Sequence, residues 1–478
     1  MSRKVSTPIL GAILSLAVGF GSTQAHALTL NEYLESVKNQ NLSYKGTTQQ
    51  SEGAELLSRE ADLFFTPQLF AEANVGHNGK PNTPQMYDRV RSQSYLLGVS
   101  QQFSFGLQSR LYYSMGRSEF VNASGAINPP QYWDASPQLE LTMPLWGGGF
   151  GRTAQANQEA TRQASLAEKW NTEGVSQNIL IGAEATYWKV AAWQDVVRIQ
   201  EQALTAAQNI YDYVSRKKRM NLGETADVVQ AQALVEARTL ELQIAKNESQ
   251  EAQRTFNKYL NKDAYAPVAA LEPVDYKALE SITVPAARPG SRADVQATEA
   301  QLAAAKAQSA LALERNRPTL NVVGQYALNG RDEELNEALK EAGQTEQDTA
   351  FIGLRFNMPL NFGATSDARS GALKKERAAE MNRDYALYAQ EQDWTNLTRN
   401  ITDARDNMKI LSRLEQAQKT KLETERARLK QGRTTTYQVL LFEQDYSQAA
   451  VSKVKSAVNI LALQSQLKLY QASPEGGK

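Results

Sequence analysis

Proline is missing from two long windows of this chain. All 15 prolines lie outside residues 145–266 and 360–473. Proline breaks helix interiors, and both windows are rich in alanine, glutamine, glutamate, lysine, arginine and leucine, which favour helices. Each window is interrupted once by a plausible turn, at Asn221-Leu222-Gly223 and at Gln431-Gly432-Arg433. Each window therefore predicts a long helix, a tight turn and a returning helix.

The remaining segments alternate between apolar and polar residues with period two. In the first of them, Leu69, Ala71 and Val75 alternate with Glu72 and Asn74. The same alternation recurs around residues 94–103, 107–115, 138–145, 320–328 and 352–360. Each segment is about ten residues long, which is the length of a tilted membrane strand. A soluble sandwich would also alternate, but the polarity of the second face favours a wet lumen.

The chain repeats its own organisation. Pro67-Gln68-Leu69 is echoed by Pro318-Thr319-Leu320, and Met143-Pro144-Leu145 by Met358-Pro359-Leu360. Each half therefore runs in the order short helix, strands, long helix, turn and returning helix. Residues 263–290 between the halves carry four prolines, which indicates a linker or equatorial segment.

These patterns predict two repeats, at residues 28–262 and 291–472. The first repeat has a short helix, strands at about 67–146, a long helix at 152–219 and a return helix at 225–261. The second has a short helix, strands at about 318–328 and 350–360, a long helix at 366–430 and a return helix at 435–470. At 1.5 Å per residue each long helix measures ~100 Å, about as long as its short and return helices end to end. A protomer of this kind is a slab of parallel rods with strands at one end, and several slabs would close into a tube under a β-barrel.

Residues 1–27 have the pattern of a secretory signal peptide. Arg3 and Lys4 form a basic start, an apolar run at 9–20 follows, and Ala25-His26-Ala27 is a small-x-small cleavage site. The apolar run is too short to span a bilayer as a helix. We therefore expect cleavage after Ala27 and export of the mature chain.

The composition argues against an enzyme. The chain has no cysteine and a formal net charge of zero, which excludes thiolate chemistry and gives no sign of nucleic-acid binding. His77 would be the only histidine left after cleavage, and it lies in a predicted loop without a nucleophile or base beside it. The eight methionines do not cluster as soft metal ligands. No catalytic residue, cofactor or metal site is predicted.

Across essentially the whole mature chain, these residues resemble the TolC family of outer-membrane efflux and export channels. The matching pieces are the start at 28–34, the Pro-x-Leu strand openings, the Met-Pro-Leu strand exits, the glycine-rich 147–151, and two helix turns with an arginine four residues before a glycine. The resemblance implies an α+β membrane protein with two internal repeats per protomer. A homotrimer would form a long α-helical coiled-coil barrel and a transmembrane antiparallel β-barrel.

The resemblance also implies the function. Such a protein is a passive duct in the outer membrane, in contact with its lipid, with the helical part in the periplasm. It serves tripartite efflux or type I secretion by docking to a periplasmic adaptor and, through it, to an inner-membrane pump. A structural alternative is a trimeric coiled-coil surface protein such as an adhesin stalk, which would carry its strands at one terminus.

The first half holds four candidate strands where the usual family member has two per half. Residues 77–92 and 118–136 would be long outer loops and residues 104–106 a tight turn, as in outer-membrane barrels. Two arrangements fit: six strands per protomer, or four with the extra hairpin folded over or into a smaller barrel.

Basic residues cluster at both predicted turns. They are Arg216, Lys217, Lys218 and Arg219 before the first turn and Arg426, Arg428, Lys430 and Arg433 around the second. Taken alone, such clusters are typical of a solvated coiled-coil end. The resemblance implies that an arginine followed four residues later by glycine receives the adaptor, which gives the set Arg219, Gly223, Arg428 and Gly432. Glycine allows a turn without a side-chain clash, and arginine offers a forked donor.

A second group of residues near the turns is predicted to form the pore or gate of the tip: Arg216, Asp227, Arg433, Gln438 and Leu441. In the family, aspartates narrow the closed pore. The usual aspartate positions six and nine residues beyond Gly432 hold Gln438 and Leu441. Asp227 lies four residues beyond Gly223, which would fit a register difference of two residues between the turns. The sequence thus argues against an acidic, cation-binding ring and weakly favours anionic or mixed substrates.

Overall fold

The computed structural model describes residues 27–80 and 86–471. The predicted signal peptide, apart from Ala27, lies outside the described residues. The chain divides into two compact units. The hairpin unit contains residues 183–277 and 411–458 together with the chain up to Val37, and the sheet unit contains 38–182, 278–410 and the chain from Asn459 onward.

Helices make up most of the fold. They are α1 (Leu30–Gln40), α2 (Leu42–Ser58), α3 (Arg152–Arg219), α4 (Thr225–Tyr259), α5 (Tyr276–Leu279), α6 (Ala293–Arg315), α7 (Leu335–Glu341), α8 (Phe362–Lys430) and α9 (Thr436–Leu467). The long helices α3 and α8 have 68 and 69 residues and contain no proline, as the sequence predicts. Within the described ranges, no helix combines the length and the apolar composition needed to cross a membrane.

The incoming helix, which is the single short helix predicted before the strands of the first repeat, is broken at Asn41. Asn41 has an extended backbone (φ −69°, ψ 114°), and its side chain accepts a hydrogen bond of 2.8 Å from the Tyr44 N–H. This side chain caps a new helix, so the chain forms α1 and α2 in place of a single rod. A short 3-10 helix at Arg59–Phe65 then leads into the sheet.

The strands form one antiparallel sheet. They are β1 (Gln68–Asn78), β2 (Arg89–Gln102), β3 (Gln108–Val121), β4 (Gln131–Trp146), β5 (Thr319–Leu328), β6 (Gly330–Asp332) and β7 (Asp348–Asn357). The order is β1-β2-β3-β4-β5-β7, and the short β6 pairs with β4. All four candidate strands of the first half lie in this sheet beside two from the second, which favours the arrangement with six long strands.

The two faces of the sheet differ in chemistry. One of them, the apolar face, carries a set of exposed hydrophobic side chains fixed by the strand register: Leu69, Val75, Leu97, Val99, Leu111, Leu139, Leu141, Tyr326, Ile352, Leu354 and Phe356. The opposite, polar face carries hydrogen-bonded polar groups. Arg110 bonds Glu140 at 3.1 Å, and the Tyr112 hydroxyl donates to Gln138 at 2.7 Å.

A glycine-rich turn joins β4 to α3 inside the sheet unit. Gly151 has a φ of 82°, and a Cβ at this position would overlap the carbonyl oxygen of Ser104 in the β2–β3 turn. Only glycine permits the backbone at residue 151 to come this close to the backbone at Ser104. The same turn is also held by the buried Glu314, which accepts a 2.9 Å hydrogen bond from the Gly148 N–H and forms a 2.7 Å ion pair with Arg317.

Each unit has its own apolar core. In the hairpin unit, one cluster joins α3, α4 and α9 through Val196, Ala245 and Val454. In the sheet unit, Trp394 and Ile401 of α8 pack with Tyr470 at the end of the described chain.

Candidate functional site

The first helix turn, between α3 and α4, ends α3 with two backbone hydrogen bonds. The Leu222 N–H donates to the Lys217 carbonyl at 2.9 Å, and the Asn221 N–H donates to the Lys218 carbonyl at 3.0 Å. Asn221 has a left-handed backbone with a φ of 57°. This pair of bonds around one left-handed residue is a Schellman motif.

The second turn, between α8 and α9, has the same backbone geometry. The Arg433 N–H donates to the Arg428 carbonyl at 2.9 Å, and the Gly432 N–H donates to the Leu429 carbonyl at 3.0 Å. Gly432 has a φ of 70° and nothing within 4 Å of the position of a Cβ. The left-handed residue of this turn is therefore Gly432, the structural equivalent of Asn221.

This equivalence changes how the two sequence motifs are paired. Counted from the left-handed residues, Arg219 corresponds to Lys430, and Arg428 corresponds to Lys217. Gly223 lies two residues beyond Asn221 and is not the left-handed residue of its turn. The two Arg-x-x-x-Gly stretches are thus out of register by two residues.

Counting from the left-handed residues also aligns the two returning helices, α4 and α9. α4 begins at Thr225 and α9 at Thr436, the same number of residues after Asn221 and Gly432. Asp227 and Gln438 therefore occupy equivalent third positions of the two returning helices. One turn carries an acid there and the other an amide.

Arg428 is held at the surface by a buried acid. Its guanidinium donates to Glu425 Oε2 at 3.2 Å, and the Thr434 hydroxyl also donates to the Glu425 carboxylate. Glu425 is buried, while the Arg428 side chain remains 55% exposed. Glu425 therefore orients the Arg428 side chain, and the exposed part of that side chain can still contact a partner. The sequence did not single out Glu425.

The other predicted tip residues do not form a single cluster of charges. Arg216, Arg219 and Arg433 are exposed, Asp227 and Gln438 are half-buried, and Leu441 is partly exposed. In the part of the chain that the structure describes, no ion pair involves Arg216, Asp227 or Arg433.

A buried charge network lies further along the returning helices. The Arg426 guanidinium donates to the Glu443 carboxylate at 2.7 Å, and Glu443 is buried. Burial raises the pKa of the Glu443 carboxyl, which the guanidinium groups of Arg426 and Arg238 oppose. Arg238 is itself buried and donates to Glu241 at 2.5 Å. The sequence analysis did not single out Glu443, although a carboxylate directly after the apolar run Val439–Phe442 is a local signal.

The ends of α3 and α8 border an open cavity of about 760 Å³. Residues that line it include Arg198, Glu201, Ile210 and Tyr213 of α3, Arg426, Leu429 and Lys430 of α8, and Val439 of α9. The cavity thus has an apolar floor, formed in part by Ile210 and Val439, and a mainly basic rim. Such a groove suits an amphipathic helix with acidic flanks.

No protein-family model and no curated protein matches the chain. Solved structures do match it along almost its whole length. The outer membrane protein VceC from Vibrio cholerae matches with a TM-score of 0.63 and 14% identity, over 92% of this chain and 94% of VceC. The open-state MtrE outer membrane channel of Neisseria gonorrhoeae matches with a TM-score of 0.63 and 16% identity, over 92% and 88% of the two chains. The CmeC outer membrane channel of Campylobacter jejuni matches with a TM-score of 0.60 and 14% identity, over 98% and 94%. These structures confirm the resemblance to TolC-family channels at the level of the fold.

Proposed function

We propose that this chain is the outer-membrane channel of a tripartite efflux or type I secretion system, acting as a passive duct. The observation that carries the proposal is the two-faced sheet within a fold shared with outer-membrane channels. An exposed apolar face suits contact with outer-membrane lipid, and a hydrogen-bonded polar face suits a wet lumen. An adhesin stalk would not need a sheet built from both halves of the chain.

A homotrimer would complete the duct. Strands β1 and β7 are the two edges of the sheet, and most of their residues are exposed. An exposed edge presents unpaired backbone groups that favour pairing with another strand. Pairing β1 of one protomer with β7 of the next, three times around, would close the sheet into a barrel.

The helix turns are the proposed docking site for a periplasmic adaptor and, through it, an inner-membrane pump. Arg219, Arg428 and Arg433 are exposed there, and the basic-rimmed groove lies beside the second turn. Arg428 is the strongest candidate contact because Glu425, which also accepts a hydrogen bond from Thr434, fixes its position. The energy for transport would come from the pump, so the duct itself requires no catalytic residue.

The trimer is tested by fractionation. We expect the mature protein in the outer-membrane fraction as an oligomer that converts to monomer on heating in detergent, because closed barrels resist detergent until heated. Recovery as a soluble periplasmic monomer would contradict the proposal.

The docking site is tested at the second turn. Gly432→Val should strain the left-handed position by ~1–3 kcal/mol and reduce export, since a β-branched residue is disfavoured there. Gly432→Asn is the matched control, because Asn221 occupies the equivalent position in the first turn. We expect near-normal export from Gly432→Asn and strongly reduced export from Arg428→Glu, with trimer levels measured alongside. Full export by Gly432→Val and Arg428→Glu at normal trimer levels would place docking elsewhere.

A further inference from the structure

The apolar face of the sheet ends within two neighbouring rows of residues on three adjacent strands. Moving away from α3, successive rows across β1, β2 and β3 are Ala73-Tyr95-Met115, then Val75-Gln93-Arg117, then His77-Arg91-Glu119. Arg89 continues the same face of β2 by one further row. All three strands therefore change from apolar to polar or charged side chains within two neighbouring rows.

These charged residues line a cavity of about 330 Å³. Its lining includes Val75, His77, Arg89, Arg91, Arg117 and Glu119. Three arginines face a single glutamate, so the cavity carries an excess of positive charge. Val75 is 76% exposed and connects the cavity with the apolar face below it.

Two of the arginines are oriented by neighbours. Arg91 forms a 3.1 Å ion pair with Glu119. Arg117 donates to Gln131 Oε1 at 2.9 Å and lies over the Trp133 ring at 5.8 Å. Among the residues that the structure describes, Arg89 forms no ion pair, and it is exposed. The cavity thus combines two positioned guanidinium groups with one that is available to a ligand.

We propose that this cavity binds the phosphate group of a lipid headgroup, with the acyl chains lying along the apolar face. The guanidinium fork matches phosphate oxygens in geometry and charge. A free phosphate would not explain why the cavity lies at the end of an exposed apolar face, whereas a lipid supplies an anionic head and an apolar tail together. The proposal rests on the proposed function only for placing this face in the membrane.

The test is native mass spectrometry of the purified full-length protein in detergent, titrated with the phosphorylated glycolipid lipid A. The parallel ligands are dephosphorylated lipid A and inorganic phosphate. We expect lipid A to stay bound, dephosphorylated lipid A to bind weakly, and inorganic phosphate not to displace lipid A. Each arginine removed should weaken binding about fivefold, from about 1 kcal/mol per basic residue near an anionic lipid surface.

The variants are Arg89→Gln alone and the triple variant R89Q/R91Q/R117Q. Arg89→Gln breaks no ion pair and so keeps the test valid if the triple variant folds poorly. Arg355→Gln on the polar face of β7 is the matched control, and it should bind lipid A like the unmodified protein. Equal lipid A binding by the unmodified protein and Arg89→Gln would overturn the proposal, as would displacement by inorganic phosphate. Failure of the proposed function would show differently, as absence of every variant and of the unmodified protein from the outer membrane.

Discussion

Replacing Gly151 by alanine is expected to disrupt the joint between the sheet and the start of α3. Gly151 has a φ of 82°, and an added Cβ would overlap the Ser104 carbonyl oxygen and lie 2.9 Å from the Gly106 nitrogen. Both atoms belong to the backbone of the tight β2–β3 turn, so neither can rotate away. The left-handed conformation costs about 1–2 kcal/mol and the overpacking about 1–3 kcal/mol more. The measurement is the yield of heat-modifiable oligomer together with the thermal unfolding midpoint.

Gly371→Ala is the matched control for this substitution. Gly371 lies inside α8, and nothing lies within 4 Å of the position of its Cβ. Alanine is a better helix former than glycine, so this variant should gain up to about 1 kcal/mol. Equal unfolding midpoints for Gly151→Ala and Gly371→Ala would show that the β4–α3 joint tolerates a side chain.

Replacing Tyr187 by alanine should destabilise the hairpin unit by about 3–5 kcal/mol, the usual cost of deleting a buried aromatic ring. Tyr187 is fully buried, and its ring lies 5.7 Å from that of Tyr33 and 6.5 Å from that of Phe256. Its hydroxyl donates to the Leu28 carbonyl at 2.5 Å and accepts from the Glu272 N–H at 3.1 Å. Burial raises the pKa of the Tyr187 hydroxyl, so the group remains a donor at neutral pH. Denaturant unfolding measures the loss.

Two further variants separate packing from hydrogen bonding at this position. Tyr187→Phe keeps the ring and should cost about 1–3 kcal/mol, the penalty for leaving buried partners unsatisfied. Tyr265→Ala removes a tyrosine of the same unit that is 79% exposed, and it should cost no more than about 1 kcal/mol. A Tyr187→Ala protein as stable as Tyr265→Ala would contradict this account of the core.

The long elements could be predicted from sequence because their signals are summed over many residues. α3 spans Arg152–Arg219, inside the first proline-free window and up to the turn at Asn221. The helix boundaries that the sequence did not predict are each set by a single polar side chain. Asn41 splits the incoming helix, and Asn361 starts α8 earlier than expected by accepting a 3.0 Å hydrogen bond from the Ala364 N–H. A single side chain that caps a helix gives no periodic signal, so a pattern of apolar residues does not reveal it.

The candidate site was predicted less completely. The sequence located both turns and their basic residues, but counting from the glycines aligned Gly223 with Gly432. Asparagine also tolerates the left-handed region, so Asn221 could take that position, and only the backbone geometry shows it. Glu425 was missed because its burial depends on how α8 packs.

The shared geometry of the two turns has a consequence for stoichiometry. In the proposed trimer there would be six turns of one backbone shape but two chemical kinds, three centred on Asn221 and three on Gly432. A partner that reads only the backbone would find six equivalent positions. A partner that requires the forked donor of Arg428 would find three, because the equivalent residue Lys217 offers only a point charge. In the proposed assembly, the ratio of adaptor to duct subunits would therefore depend on this side-chain difference, and Lys217→Arg would place the forked donor at all six turns.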